Sequence, residues 1–179
     1  MTWTRTTCHN CRHHMSEKKS KILEIIKQPD PLLRQRSKEI SSEVLGQSEM
    51  QELIDEMIAT MWQADGVGIA APQVGKNIRV IIITQINEAM ALVNPIITRF
   101  SIRRNAMDEG CLSVPGFFGS VKRSNAVRVR ALERNGKMIK FKAEGLIARI
   151  IQHEIDHLDG VLFIDRAKHV KPITSAAQL

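Results

Sequence analysis

From Met50 onward the apolar positions Met50, Leu53, Ile54, Met57, Ile58, Met61 and Trp62 recur at intervals of three and four. That spacing places side chains on one face of an α-helix. Ser48 and Gln51 have the form of a capping box, so the pattern predicts an amphipathic helix from Ser48 that stops near Asp65-Gly66. Its methionines share a face with Leu and Ile and read as core filling. The period then shortens. "RVIIIT" (79–84) and "MALVNPIIT" (90–98) are β-branched runs of strand length. "AVRVRAL" (126–132) and "KMIKFKA" (137–143) alternate apolar and basic residues around Glu133-Arg134-Asn135-Gly136, which predicts a hairpin with Asn-Gly at the turn. Its outward face carries Arg128, Arg130, Lys140 and Lys142. Helical spacing returns in "GLIARIIQHEIDHL" (145–158). An early helix, several antiparallel strands and a late helix predict an α+β fold, with antiparallel sheets packed around the late helix. No internal repeat interrupts this order.

At 179 residues the chain has the length of one ordinary domain. Residues 1–20 read as an extension, since "MTWTRTTCHNCRHH" (1–14) is poor in apolar residues and has neither period; Met15 is an alternative start. Within it, Cys8 and Cys11 with His13 and His14 form a weak zinc pattern that lacks a distant second pair. The absence of acids there also suits a degraded organellar presequence. The catalytic domain is expected over residues 21–168, with 169–179 as a short tail. Three cysteines make no disulfide framework, which favours a reducing compartment and leaves Cys111 free as a thiolate. No run approaches membrane-spanning length. The net charge of +7 is uneven: residues 30–65 carry three basic and eight acidic side chains, residues 99–142 eleven basic and three acidic. The basic middle could steer the chain toward a polyanion, or simply be a solvated surface.

The chemistry concentrates in "QHEIDHLDG" (152–160). On the late helix Leu146, Ile150, His153 and His157 fall on one stripe, so both imidazoles leave the same face and suit zinc or ferrous iron, with Glu154 beside them to handle protons. A third ligand decides the class. The metzincin pattern is followed as far as Gly160, but Phe163 stands where its last histidine belongs, and no glutamate follows His157. The ligand must come from upstream, and the best candidate is Cys111 in "DEGCLSVPG" (108–116), a stretch bounded by Gly110, Pro115 and Gly116 that reads as a tight exposed turn. Asp65 is further expected to pair with Arg123 and clamp the loop before "GVGIAAPQVG".

Together "GVGIAAPQVG" (66–75), "EGCLSVPG" (109–116) and "QHEIDHLDG" (152–160) resemble the three signature motifs of the peptide deformylases, with a likeness running from about Ile22 to Arg166. The resemblance implies hydrolytic removal of the formyl group from the N-terminal methionine of nascent polypeptides. It implies that Cys111, His153 and His157 hold Fe2+ with a water as fourth ligand, that this water attacks the formyl carbon as hydroxide, and that Zn2+, Ni2+ or Co2+ can substitute. By the same likeness Glu154 is the general base and acid, and Gln73 and the backbone N–H of Leu112 stabilise the oxyanion. Gly68 and Gly110 contact the substrate, and Val67, Leu146, Ile150 and His153 line the methionine pocket. Some members carry an arginine shortly after the cysteine motif, where this chain has Phe117 and Phe118. The chain after Arg166 is also too short for the terminal helix with which some members dock on the ribosome, so any transient ribosome contact would fall to the basic hairpin. A cytoplasmic monomer of bacterial type is expected, with an organellar home left open.

Overall fold

The computed structural model describes residues 20–85 and 88–173; the Cys8/Cys11 pattern and residues 174–179 lie outside them. A 3-10 turn (Pro31–Arg34) and α1 (Ser42–Leu45) lead into α2 (Ser48–Gln63). Then come β1 (Gly68–Ala70), a 3-10 turn (Ala71–Val74), β2 (Val80–Gln85), β3 (Glu88–Phe100), β4 (Arg104–Cys111), β5 (Val114–Ser124), β6 (Ala126–Leu132) and β7 (Met138–Glu144). The chain continues through α3 (Gly145–Leu158), α4 (Phe163–Arg166) and β8 (Val170–Pro172). Strands β1-β2-β3-β6-β7 form one sheet and β4-β5-β8 another, and the pairings within both are antiparallel.

Strand β2 shows why the fold is α+β with a helix on each side of its larger sheet. Its residues Val80 to Ile83 are all fully buried, because alternate side chains enter different cores. Ile81 and Ile83 pack with Val127, Val129, Ile151, Ile155 and Leu158 beneath α3. Val80 and Ile82 pack with Ile54, Met57 and Met61 of α2. A strand covered on both faces reads in sequence as an unbroken apolar run. The hairpin follows its alternation: Val127, Val129 and Ala131 point into the α3 core, while Arg128 faces Lys142 and Arg130 faces Lys140 across the outer surface. Gly136, at φ 83, closes the turn by donating its N–H to the Glu133 carbonyl.

Several local expectations change. Ser48 is the first residue of α2 rather than its cap; the cap position is Gln47, and the Gln51 amide instead donates to the carbonyls of Leu45 and Arg134. Trp62 lies at the edge of the apolar stripe and is exposed. Strand β4 occupies what the sequence presents only as the approach to a turn, since its pattern has one buried side chain, Glu109, in an otherwise exposed run. The tight turn does exist, as Leu112-Ser113 between the paired Cys111 and Val114. Within the expected tail, Val170–Pro172 adds a third strand to the smaller sheet. No helix among the described residues is long and apolar enough to cross a membrane.

Ile151 is fully buried between α3 and the larger sheet. Its truncation to alanine should lower stability by about 2–5 kcal/mol, read as a lower urea midpoint with an unchanged slope.

Candidate metal centre

Three elements build the site. Helix α3 presents His153 and His157 one turn apart, with ring centroids 5.1 Å from each other. The end of β4 brings in Cys111, whose Sγ lies 3.1 Å from His157 Nε2. Ligand atoms of Cys111, His153 and His157 all fall within 4.8 Å of one another, so the three converge on one small space. One thiolate and two imidazoles suit a divalent transition metal and leave a fourth position open. The surroundings fit the same group. Glu154 Oε2 beside the cluster is buried without a hydrogen-bond partner, a costly arrangement for a side chain that touched nothing but protein.

The edge of the larger sheet supplies the rest. Gln73 Oε1 accepts from the Ala70 N–H at 2.8 Å, which fixes the amide so that Nε2 turns toward the site, 3.2 Å from Ser113 Oγ and 3.5 Å from Cys111 Sγ. The Ser113 N–H also points at that sulfur, at 3.4 Å. Just before β1 the Val67 carbonyl accepts from the Thr84 N–H of the neighbouring strand. Strand alternation therefore directs the N–H and C=O of Gly68 outward, along the free edge. A Cβ on Gly68 would come within 2.5 Å of Glu154 Oε1 and 2.9 Å of Ile150 Cγ2, so only glycine lets the glutamate lie against this strand. A cavity of about 510 Å³ opens here, lined by Val67, Gly68, Gln73, Gly110, Cys111 and Leu112 on one side and by Leu146, Ile150, His153 and Glu154 on the other. Val67 and Leu146 are exposed at 54% and 57%, so the apolar wall is open to an incoming side chain.

Behind the metal-facing side chains lies a buried ion network that sequence reading missed. Glu109 accepts from Arg123 Nε and Nη2 at 2.9 and 2.8 Å, lies 2.5 Å from Arg149 Nη1, and stands 3.0 Å from His153 Nδ1. Arg123 continues to Asp156, which Arg166 also holds through two hydrogen bonds of 2.6 Å. The expected Asp65–Arg123 pair is thus overturned. Arg123 is buried among Glu109 and Asp156, whereas Asp65 sits in the left-handed turn after α2, at φ 50. One signal was available in sequence: Arg149, Gln152 and Asp156 form a second polar stripe on the helix that carries His153 and His157. That stripe reads as a solvent face unless a second sheet covers it. Phe163, where the metzincin pattern wants a ligand, is buried and stacks on His153 with centroids 6.4 Å apart.

Burial sets much of the electrostatics. It pushes the Glu154 carboxyl up to about 7, Glu109 and Asp156 adding to it against the opposing pull of His153 and Arg123. Burial drives His157 well below its ordinary value, so its imidazole is neutral and ready to ligate. At His153 burial disfavours the charge, but hydrogen bonds to Cys111 and Glu109 outweigh it and raise the group to about 10. At Glu109 burial favours the neutral carboxyl, but hydrogen bonds from Arg123 and His153 overcome it and hold the group at about 2. In the metal-free chain His153 therefore carries a proton that an entering cation must displace.

Two outcomes are expected. Glu109→Gln should weaken metal affinity about 10- to 100-fold in competition with a chelator, because His153 loses the carboxylate that orients its ring. Glu154 ionises at about 7 when folded against an ordinary 4.5, so its ionisation weakens the metal-free fold as pH rises through that window. Metal-free Glu154→Gln should accordingly be the more stable protein at about pH 8, by on the order of 3 kcal/mol, with the advantage vanishing below about pH 4.5 in urea titrations.

The chain is similar to known proteins over most of its length. A peptide deformylase from Thermodesulfovibrio yellowstonii is 48% identical over 155 residues, which cover 84% of this chain and 92% of that one. The actinonin-bound crystal structure of a class I type b peptide deformylase from Acinetobacter baumannii superposes with a TM-score of 0.80 at 41% identity, covering 83% of this chain and all of that one. The Met-Ala-Ser-bound form of the Acinetobacter enzyme gives 0.79 at 39% identity, over 82% of this chain and 99% of that one. The polypeptide deformylase family profile matches residues 22–172, a span that includes both sheets, α3 and the Cys111–His153–His157 cluster, and the chain belongs to that family.

Proposed function

We propose that the chain hydrolyses the N-formyl group from the N-terminal methionine of newly made polypeptides, yielding formate and a free amine. One observation carries this reading: a buried carboxylate and a fixed amide donor flank a Cys-His-His cluster at the free edge of a glycine-bearing strand. A formyl group is the smallest acyl group, and a site this closely approached by backbone suits it. A divalent cation held by Cys111, His153 and His157, Fe2+ in our assignment by likeness to the family, would lower the pKa of a water from about 16 toward 7 and so supply hydroxide at neutral pH.

The residues of the chain do the remainder. The substrate backbone pairs with the outward N–H and C=O of Gly68 as an added strand, with Gly110 on the opposite side of the cavity. The methionine side chain enters among Val67, Leu146, Ile150 and His153. That placement brings the formyl oxygen to Gln73 Nε2 and the Leu112 N–H, two donors that stabilise the charge developing on it by roughly 3 kcal/mol each. Glu154, poised near neutrality by burial, accepts the proton of the attacking water and delivers it to the departing amine nitrogen. The Met-Ala-Ser complex of the Acinetobacter relative supports a peptide ligand beginning with methionine. The paired Arg128–Lys142 and Arg130–Lys140 rungs of the hairpin give the exposed positive surface that would bring the enzyme to ribosomes.

With ferrous iron loaded anaerobically, or nickel as a stable substitute, wild type should release formate from a formyl-Met tripeptide. Glu154→Ala should retain metal and release none; stoichiometric metal without formate from wild type would leave a binding protein instead. Gln73→Ala should lower kcat by about 10²–10³-fold. Reversing Arg128 and Arg130 to glutamate should weaken ribosome co-sedimentation at low salt while small-peptide turnover stays unchanged; sedimentation that does not move would remove the hairpin from the account.

A further inference from the structure

On the side of α3 away from the metal cluster, a cleft of about 450 Å³ opens between the two sheets. Its floor is Gln152, Ile155, Asp156 and Asp159 of the helix and its cap, and one wall is apolar, made by Ile96, Ile97 and Phe100 of β3. Six cations line it, Arg36, Arg79, Arg104, Lys122, Arg123 and Arg166, against two carboxylates. Both carboxylates are already answered. Asp156 is held by Arg123 and Arg166, and Asp159 by Arg79, which also donates to the Leu158 carbonyl at the end of α3.

The remaining three, Arg36, Arg104 and Lys122, have no ion pair among the described residues. They are nonetheless brought to one cleft by separate parts of the fold. Arg104 pairs with Ser124 and Lys122 with Ala106, which makes the two cations diagonal neighbours on one face of the smaller sheet. Arg36 arrives from the N-terminal segment, anchored next door by the Ser37 N–H on the Leu158 carbonyl. Like charges gathered at the mouth of a concave site repel unless something negative enters. Phe100, 52% exposed, presents an aromatic side chain at the same opening.

Clustered cations beside an exposed aromatic wall match the chemistry of a nucleotide unit, whose phosphate is neutralised while its base lies on the ring. Exposed cations at the rim of a concavity with an apolar wall suit a narrow strand or a nucleotide that can place a base inside it. We infer that this cleft binds a nucleotide unit of single-stranded RNA, through its phosphates at Arg36, Arg104 and Lys122 and a base against Phe100. This inference does not depend on the deformylase reading, because none of these four side chains lines the metal-site cavity.

The test is fluorescence anisotropy of a labelled oligouridylate of about twelve nucleotides with the full chain, titrated at several salt concentrations. Arg36→Glu/Arg104→Glu/Lys122→Glu should weaken binding at least about tenfold and flatten the log–log salt slope by about 2, at roughly 0.7 for each phosphate no longer neutralised. Phe100→Leu should weaken binding about fivefold or more without changing the slope, as weaker stacking requires. Formate release from a small peptide should be unaltered in both. UMP that competes only at far higher concentration than the oligomer identifies a strand as the ligand; equal competition per nucleotide assigns the cleft to free nucleotides and overturns the RNA assignment. An equal weakening on reversing Arg128 and Arg130, or an undiminished affinity in the triple variant, overturns the cleft itself.

Discussion

The Glu109 carboxylate holds the two halves of the molecule in register. It lies on β4, two residues before Cys111, and it meets Arg149 and His153 from α3 and Arg123 from β5 in one buried cluster. A thiolate on one sheet edge and two imidazoles on a helix can share a cation only if sheet and helix keep a fixed offset. Apolar packing is non-directional and tolerates sliding, whereas a carboxylate gripped by two guanidiniums and an imidazole does not. Such a buried cluster adds little net stability over apolar residues of the same shape, yet removing one member strands the others' charges at a cost of about 3–5 kcal/mol. Its value lies in position.

The same cluster divides the labour among acidic groups a short distance apart. Glu109, surrounded by donors, stays ionised and orients His153 Nδ1, which leaves the other ring nitrogen for a metal. Glu154, on the next position of the helix after His153, has no such donors and is drawn toward neutrality by burial. One carboxylate stays ionised and the other is raised to about 7, and the difference comes from environment alone. Phe163 completes the arrangement by backing the His153 ring where a third histidine would stand in another class of metalloenzyme.

The larger sheet has a comparable economy. Strand β2 and the middle of β3 are buried on both faces, between α2 and α3, and the edge that reaches the metal site is β1, three residues long. Gly68 on that edge serves two ends, leaving space for Glu154 on one side and an unpaired backbone on the other. Further round the molecule, the sheets separate enough to leave the basic cleft behind α3, where only part of the positive charge is used by the fold itself.

Much of this was legible in sequence wherever a physical signal is local. The 3.6-residue period of α2 and α3, the alternation and Asn-Gly turn of the β6–β7 hairpin, and the His-Glu-x-x-His spacing each follow from backbone geometry within a few residues. The three motifs also named the family, through their resemblance to its signature sequences. The tertiary structure alone decided the rest. Strand β4 carries almost no apolar pattern, because its one fully buried side chain is a glutamate that pairs across 14 and 40 residues of chain. Arg123 could not be matched from sequence, since Asp65, Glu109 and Asp156 are equally plausible acids until burial and distance choose between them. Periodicity reports which face of an element is apolar; it carries no information on which distant charge will meet a buried polar residue, and that choice is made by packing.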